Sequence, residues 1–379
     1  MSAPTSAVIV GESIAGTTAA RELRALGHGG RITIIGADRH GAYSRPPLSK
    51  AVLKDATADA ALGYQLDGLD TDVVRSAAVG ADLDRRLITT ADGRTIGYDA
   101  LIIATGADAR RLAGPEQRGE LVLRTLDDAR ALRSRLETAT SAIVVGAGFL
   151  GMEVASACVA RDIPVTVVDV DRPLERILGL FLSELVGMRA ERHGVRLIRT
   201  ADFVSLVGDP IRGVALLDGT ELGADLVVSC AGETPNTSWL HGTGLADHLG
   251  IGVDQACATA VPGVYAAGDV SYLHVENRRA PFWSNAVARG KVAAASAVGL
   301  TALGAPNDDY FWTELLGLSI KVVGPLPLTG EPSTVQGNLA DGSAVLTWNH
   351  GRGPATVVAY GIRKPVTRLR AMADSLRNS

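Results

Sequence analysis

Gly146-Ala147-Gly148-Phe149-Leu150-Gly151 decides the reading of the fold, because the apolar run Ala142-Ile143-Val144-Val145 leads into it and a helical pattern leaves it. Strand, glycine turn and helix in that order open a dinucleotide-binding βαβ unit. Each glycine answers a physical demand: a tight turn, close approach of backbone to pyrophosphate, and close packing of helix on strand. The helix start offers unpaired N–H groups and the positive end of its dipole to phosphates. The next strand, Val165-Thr166-Val167-Val168, ends at Asp169, where a carboxylate accepts from both ribose hydroxyls. That carboxylate would repel a 2′-phosphate, so NADH is expected rather than NADPH. Gly146, Gly148, Gly151, Asp169 and Gly232 are the expected NADH contacts.

The same design stands near the N-terminus, so the βαβ unit occurs twice. Ala7-Val8-Ile9-Val10 enters Gly11-Glu12-Ser13-Ile14-Ala15-Gly16, and a helix carries Ala15, Ala19, Ala20, Leu23 and Leu26. Glycines from Gly27 to Gly30 break it before Ile32-Thr33-Ile34-Ile35. Ser13 replaces the middle glycine; its hydroxyl suits a phosphate but limits how closely the backbone approaches. The strand ends at Gly36, and Asp38 is the displaced acid.

With 379 residues the chain exceeds one ordinary core and divides into two or three domains. Apolar residues make up 46% and the net charge is -4, a globular balance with no invitation to nucleic acid or an acidic membrane. No apolar stretch reaches the roughly 18 residues of a bilayer span, and no signal-type segment precedes the first strand. A cytoplasmic protein is expected, and three scattered cysteines (Cys158, Cys230, Cys257) agree with a reducing compartment. Beyond about Asn307 short β-like runs appear at Val322-Val323, Val335, Val345–Trp348 and Thr356–Tyr360. A helix after Pro365 with Val366, Leu369 and Met372 on one face completes an α+β domain.

Tyr43-Ser44-Arg45-Pro46-Pro47-Leu48-Ser49-Lys50 resembles a segment of the bacterial FAD- and NADH-dependent ferredoxin reductases that serve cytochromes P450 and Rieske oxygenases. Ala104-Thr105-Gly106, Leu123–Ala129, Pro235-Asn236, Ala266-Ala267-Gly268-Asp269, Phe282–Ala286 and Tyr310-Phe311-Trp312 are similar to further motifs of that family, in its order. The resemblance implies an α/β fold with two Rossmann-like domains and a small α+β C-terminal domain. FAD would be held by a discontinuous domain, 1–112 and 233–305, with the NADH domain at 113–232 and the C-terminal domain at 306–379. It implies FAD contacts at Gly11, Ser13, Gly16, Asp38, Arg45, Lys50, Thr105, Gly106, Arg124, Gly268, Asp269, Trp283 and Trp312. Lys50 would lie beside the flavin and Glu153 near the nicotinamide, as the catalytic pair. Hydride transfer between nicotinamide C4 and flavin N5 needs the reacting atoms held about 3–3.5 Å apart.

What is missing narrows the chemistry. There is no Cys-x-x-Cys, so a dithiol mechanism is excluded, and the cysteines lie in apolar stretches as small hydrophobes. The seven histidines lack ligand spacing, so no metal is expected. The expected partner is an iron-sulfur ferredoxin, docked on basic residues drawn from Arg278, Arg279, Arg289 and Lys291. A second reading is direct action on a small acceptor such as a quinone or oxygen. Pro281, Arg289 and Thr313-Glu314-Leu315 keep it open, because they depart from the family pattern. A third is a redox-sensing binding protein, for which no residue speaks specifically.

Overall fold

The computed structural model describes residues 4–300, 308–351 and 353–376, and the chain divides into two compact units. Unit 1 comprises Met1–Ser44, Ala61–Asp108 and Thr234–Asp308; unit 2 comprises Arg45–Ala60, Ala109–Glu233 and Asp309–Ser379. The expected division at 305/306 lies outside the described residues. The grouping also differs from expectation in two ways. Residues 45–60, expected with the FAD fold, gather with the NADH fold, and so does the C-terminal segment.

Unit 1 is built on a parallel sheet. β1 (Ser6–Val10) lies between β2 (Arg31–Gly36) and β4 (Ala100–Ile103), with β3 (Thr71–Arg75) beyond β2 and the strand Val264–Ala266 beyond β4. Apolar runs form these strands because both sheet faces are covered, and Ala7, Val8, Ile9 and Val10 are at most 3% exposed. On one face pack α1 (Ile14–Ala25) and the helix Trp283–Ala297. A Cβ on Gly290 would stand 2.6 Å from the Ala15 carbonyl oxygen, so glycine is what lets these helices approach.

Unit 2 repeats the arrangement. β5 (Ala142–Val145) lies between β6 (Val165–Asp169) and the strand Leu226–Ser229, with Arg196–Arg199 at the far edge, all parallel. α2 (Phe149–Val159) leaves the glycine turn. The C-terminal part is a five-stranded antiparallel sheet in the order Phe311–Leu315, Leu318–Val323, Thr356–Tyr360, Ser343–Trp348, Thr334–Asn338. The helix Val366–Ser375 buries Leu369 and Ala373 against it, and Pro365 serves as its N-cap. Among the described residues no helix is long and apolar enough to cross a membrane, and no group of three or more His, Cys, Asp or Glu is placed to hold a metal.

Candidate functional site

Both glycine turns fit a dinucleotide. In unit 2, Gly146 sits at φ +111° and a Cβ there would collide with the Cys230 carbonyl oxygen. A Cβ on Gly151 would strike the Gly146 carbonyl, so α2 rests directly on the turn. Gly148 is the extended N-cap of α2 with open space around it, and Gly232, at φ +98°, is equally open. That leaves the backbone N–H groups of the helix start accessible to phosphate oxygens. Asp169 closes over the turn: Oδ2 accepts from the Ala147 N–H at 2.5 Å, and Oδ1 from Val170 and Asp171 N–H at 2.6 and 3.2 Å.

Unit 1 repeats the steric logic. Gly11 has φ +112°, and Cβ atoms on Gly11 and Gly16 would collide with the carbonyls of Ala104 and Gly11. Ser13 is the extended N-cap of α1 and makes no capping bond through its hydroxyl. Asp38 is engaged by its own loop, with Oδ1 accepting from His40 N–H at 2.9 Å and Oδ2 from the Tyr43 hydroxyl at 2.8 Å. Thr105 and Gly106 are joined to Asn236: the Thr105 hydroxyl donates to the Asn236 carbonyl at 2.8 Å, and Asn236 N–H donates to the Gly106 carbonyl at 3.0 Å. Gly268, at φ +79°, lies against Ala15 and Ala286, and the Asp269 carbonyl accepts from Arg279 at 3.3 Å. Trp283 opens its helix, 38% exposed, with Nε1 donating to the Tyr64 hydroxyl at 3.3 Å.

The most concentrated polar chemistry lies within unit 2. Pro46 and Pro47 start a 3-10 turn that ends at Ser49. Lys50 joins it to the short helix Ala51–Lys54 at φ -117°, ψ -93°. Glu153 on α2 is 5% exposed and accepts hydrogen bonds from that loop and from the C-terminal sheet. Lys50 Nζ lies 2.8 Å from Oε1, the Thr313 hydroxyl donates to Oε1 at 2.6 Å, and the Ser49 hydroxyl donates to Oε2. A buried carboxylate in contact with a cation and two hydroxyls has its desolvation offset and its direction fixed. Around it, Arg45 Nη1 donates to the Arg124 carbonyl at 3.0 Å, and Arg124 lies 3.4 Å from Glu233. Trp312 stacks on Tyr310 with ring centroids 5.8 Å apart. Arg45, Lys50, Arg124 and Trp312, expected as FAD contacts, sit in the compact unit of the NADH turn.

Arg289 is corrected as a docking residue. It is 4% exposed on the helix Trp283–Ala297, because it faces inward among alanines, so it offers no charge to a partner. Arg278 is paired with Glu276 at 3.0 Å, and of the two cations on that helix Lys291 is the exposed one. Burial pushes the Cys158 and Cys230 thiols up to about 12 and Cys257 to about 11, which makes them inert packing groups. Two residues of the site were not singled out by sequence, Ser49 beside Glu153 and Glu12 beside Arg75, and Thr313, noted there only as a departure from the family pattern, proves to be a donor to Glu153. Ser49 and Thr313 lie far from Glu153 along the chain, so no local pattern ties them to it.

Residues 5–290 match the family model described as pyridine nucleotide-disulphide oxidoreductase. The chain belongs to that family. A ferredoxin--NAD(+) reductase component of a biphenyl dioxygenase system from Paraburkholderia xenovorans is 35% identical, over 89% of this chain and 85% of the relative. A rubredoxin-NAD(+) reductase from Ectopseudomonas oleovorans is 33% identical, over 84% and 86%. The solved ferredoxin reductase of the CYP199A2 system from Rhodopseudomonas palustris superposes with a TM-score of 0.84 at 30% identity, covering 94% of this chain and 91% of that one. The putidaredoxin reductase–putidaredoxin complex gives a TM-score of 0.84 at 27% identity, covering 99% and 93%. This member of the pyridine nucleotide-disulphide oxidoreductases is thus an α/β oxidoreductase that uses FAD and NAD(H). It lacks the adjacent cysteine pair that the family's name invokes.

Proposed function

We propose that this chain is a cytoplasmic NADH-dependent reductase that delivers electrons to an iron-sulfur ferredoxin of a P450 or Rieske oxygenase system. The observation that carries this reading is the extent of likeness to reductases named for such systems, joined to a buried cation–carboxylate cluster in place of a dithiol. Flavin, when bound, accepts two electrons together from reduced nicotinamide and releases them singly. Asp169 stands at the strand end where it favours a free ribose over a 2′-phosphate, which supports NADH as the donor. Glu153, held by Ser49, Lys50 and Thr313, is a rigid acceptor for an amide of the nicotinamide, and Lys50 brings a positive charge to the region where reduced flavin is expected to be negative.

The test is spectroscopic and then enzymatic. Purified protein is expected to be yellow and to bleach anaerobically with NADH. Cytochrome c reduction is then measured with NADH alone, with an added ferredoxin and with an added rubredoxin. Strong dependence on the ferredoxin supports the proposal; a preference for rubredoxin redirects it to that carrier. Equal turnover with a quinone and no protein carrier overturns it in favour of direct action on a small acceptor.

A further inference from the structure

The two dinucleotide turns carry their acids in exchanged places. In unit 2 the second turn residue is Ala147 and the strand-end residue is Asp169, whose carboxylate reaches back to the turn. The strand registers Val145↔Val168 and Val10↔Ile35 make Asp169 and Gly36 equivalent, so in unit 1 the strand end carries no side chain. Instead the second turn residue is Glu12, and its carboxylate fills the place of the missing group: a Cβ built on Gly36 would collide with the Glu12 carboxyl atoms. Glu12 is 5% exposed, Oε2 is paired with Arg75 Nη1, and Oε1 has no hydrogen-bond partner among the described residues. Arg75 lies directly across from Gly36 in the β2–β3 register and rests with Nη2 against Gly41. Asp38, the acid expected from sequence, is turned into its own loop, where it accepts from His40 N–H and the Tyr43 hydroxyl.

We infer that Glu12, delivered from the turn and backed by Arg75, is the carboxylate that accepts the adenosine ribose hydroxyls of FAD in unit 1. A buried carboxylate oxygen without a donor is costly to leave unmade, and a ribose hydroxyl supplies the donor. The same replacement explains why Gly36 stays a glycine. Its backbone has no positive φ that would demand one, and the nearest atoms a Cβ would meet there are all of the Glu12 carboxyl. The inference rests on FAD as the cofactor and adds the residue that reads its ribose.

The experiment titrates apoprotein with FAD, and with an analogue whose adenosine ribose lacks both hydroxyls, following quenching of flavin fluorescence. Wild-type protein is expected to prefer FAD over the dideoxy analogue by about tenfold, the scale of one charge-assisted hydrogen bond. Glu12→Ala is expected to lose that preference by weakening FAD alone. The double variant Glu12→Ala/Gly36→Asp, which copies the Ala147/Asp169 arrangement, is expected to regain it to within about threefold. A Glu12→Ala protein that weakens both flavins equally, or neither, overturns the assignment. Should Glu12→Ala fail to fold, the double variant decides, and no preference in it overturns the assignment likewise. Binding of FAD by wild-type apoprotein is read in the same titration, so a failed cofactor is seen apart from a failed role for Glu12.

Discussion

Set side by side, the two nucleotide folds agree in their frame and differ in their acids. Thr5-Ser6 opens β1 and Thr140-Ser141 precedes β5, and each pair is clamped by an aspartate that leads into another strand of the same sheet. Asp99 Oδ2 accepts from Thr5 N–H and hydroxyl at 2.9 and 2.6 Å, and Asp225 Oδ2 from Thr140 N–H at 3.1 Å and its hydroxyl. In return Asp99 N–H and Asp225 N–H donate to Ser6 and Ser141 hydroxyls, both at 3.1 Å. Backbone requirements are the same in both units, so frame residues coincide. The acid has only to arrive in the right place, and it does so from the strand in one unit and from the turn in the other.

The largest effects should come from breaking either frame. Gly11→Val and Gly146→Val each place a side chain into a carbonyl at positive φ, a strain of several kcal/mol, about 3 or more. Gly11→Val is expected to give colourless protein, whereas Gly146→Val should remain yellow yet fail to bleach with NADH. Loss of colour in both would show that the two turns do not act separately. Next in size is Glu153→Gln, which removes the partner of Lys50 in a buried cluster. Stopped-flow reduction of the flavin by NADH should slow about a hundredfold while flavin content holds. Thr313→Val should slow it by about tenfold, since one donor of three is lost. Asp169→Ala should raise the NADH KM about tenfold and narrow the preference over NADPH; unchanged discrimination in steady-state assays would refute the ribose role of that carboxylate.

The smallest effect concerns the clamps. Hydrogen bonds from Thr5 and Ser6 hold the Asp99 carboxyl below the usual carboxylate range, and those from Thr140 and Ser141 do the same for Asp225. A group whose folded value is lowered stabilises above its unfolded value, and that stability is lost as pH falls through the folded one. Both contributions should thus be complete above about pH 4 and fade below it. Asp99→Asn and Asp225→Asn should each flatten the acid limb of a Tm-against-pH curve by a similar small amount, and a change in only one would separate the units.

The turns were legible because their needs are local: Gly11, Gly16, Gly146 and Gly151 are read from spacing alone. So were the parallel strands, whose apolar runs follow from burial on both faces. Arg289 misled because its helix is rich in alanine and buried on several sides, so periodicity gives no sign of which way a charge points. Ser49 escaped notice, and Thr313 was seen only as a departure from the family pattern, because their partner lies in another segment of the chain. Glu12 was visible as an acid and Gly36 as a strand end without a side chain, but only the folded chain shows that the Glu12 carboxyl fills that place.

The Thr313–Glu153 bond has a practical consequence for recombining such proteins. The family model ends at residue 290, which invites exchange of everything beyond it as an interchangeable tail. A chimera cut there keeps Glu153 yet discards one of its donors, so grafted C-terminal sheets must bring a hydroxyl to the same register or the acceptor is left loose.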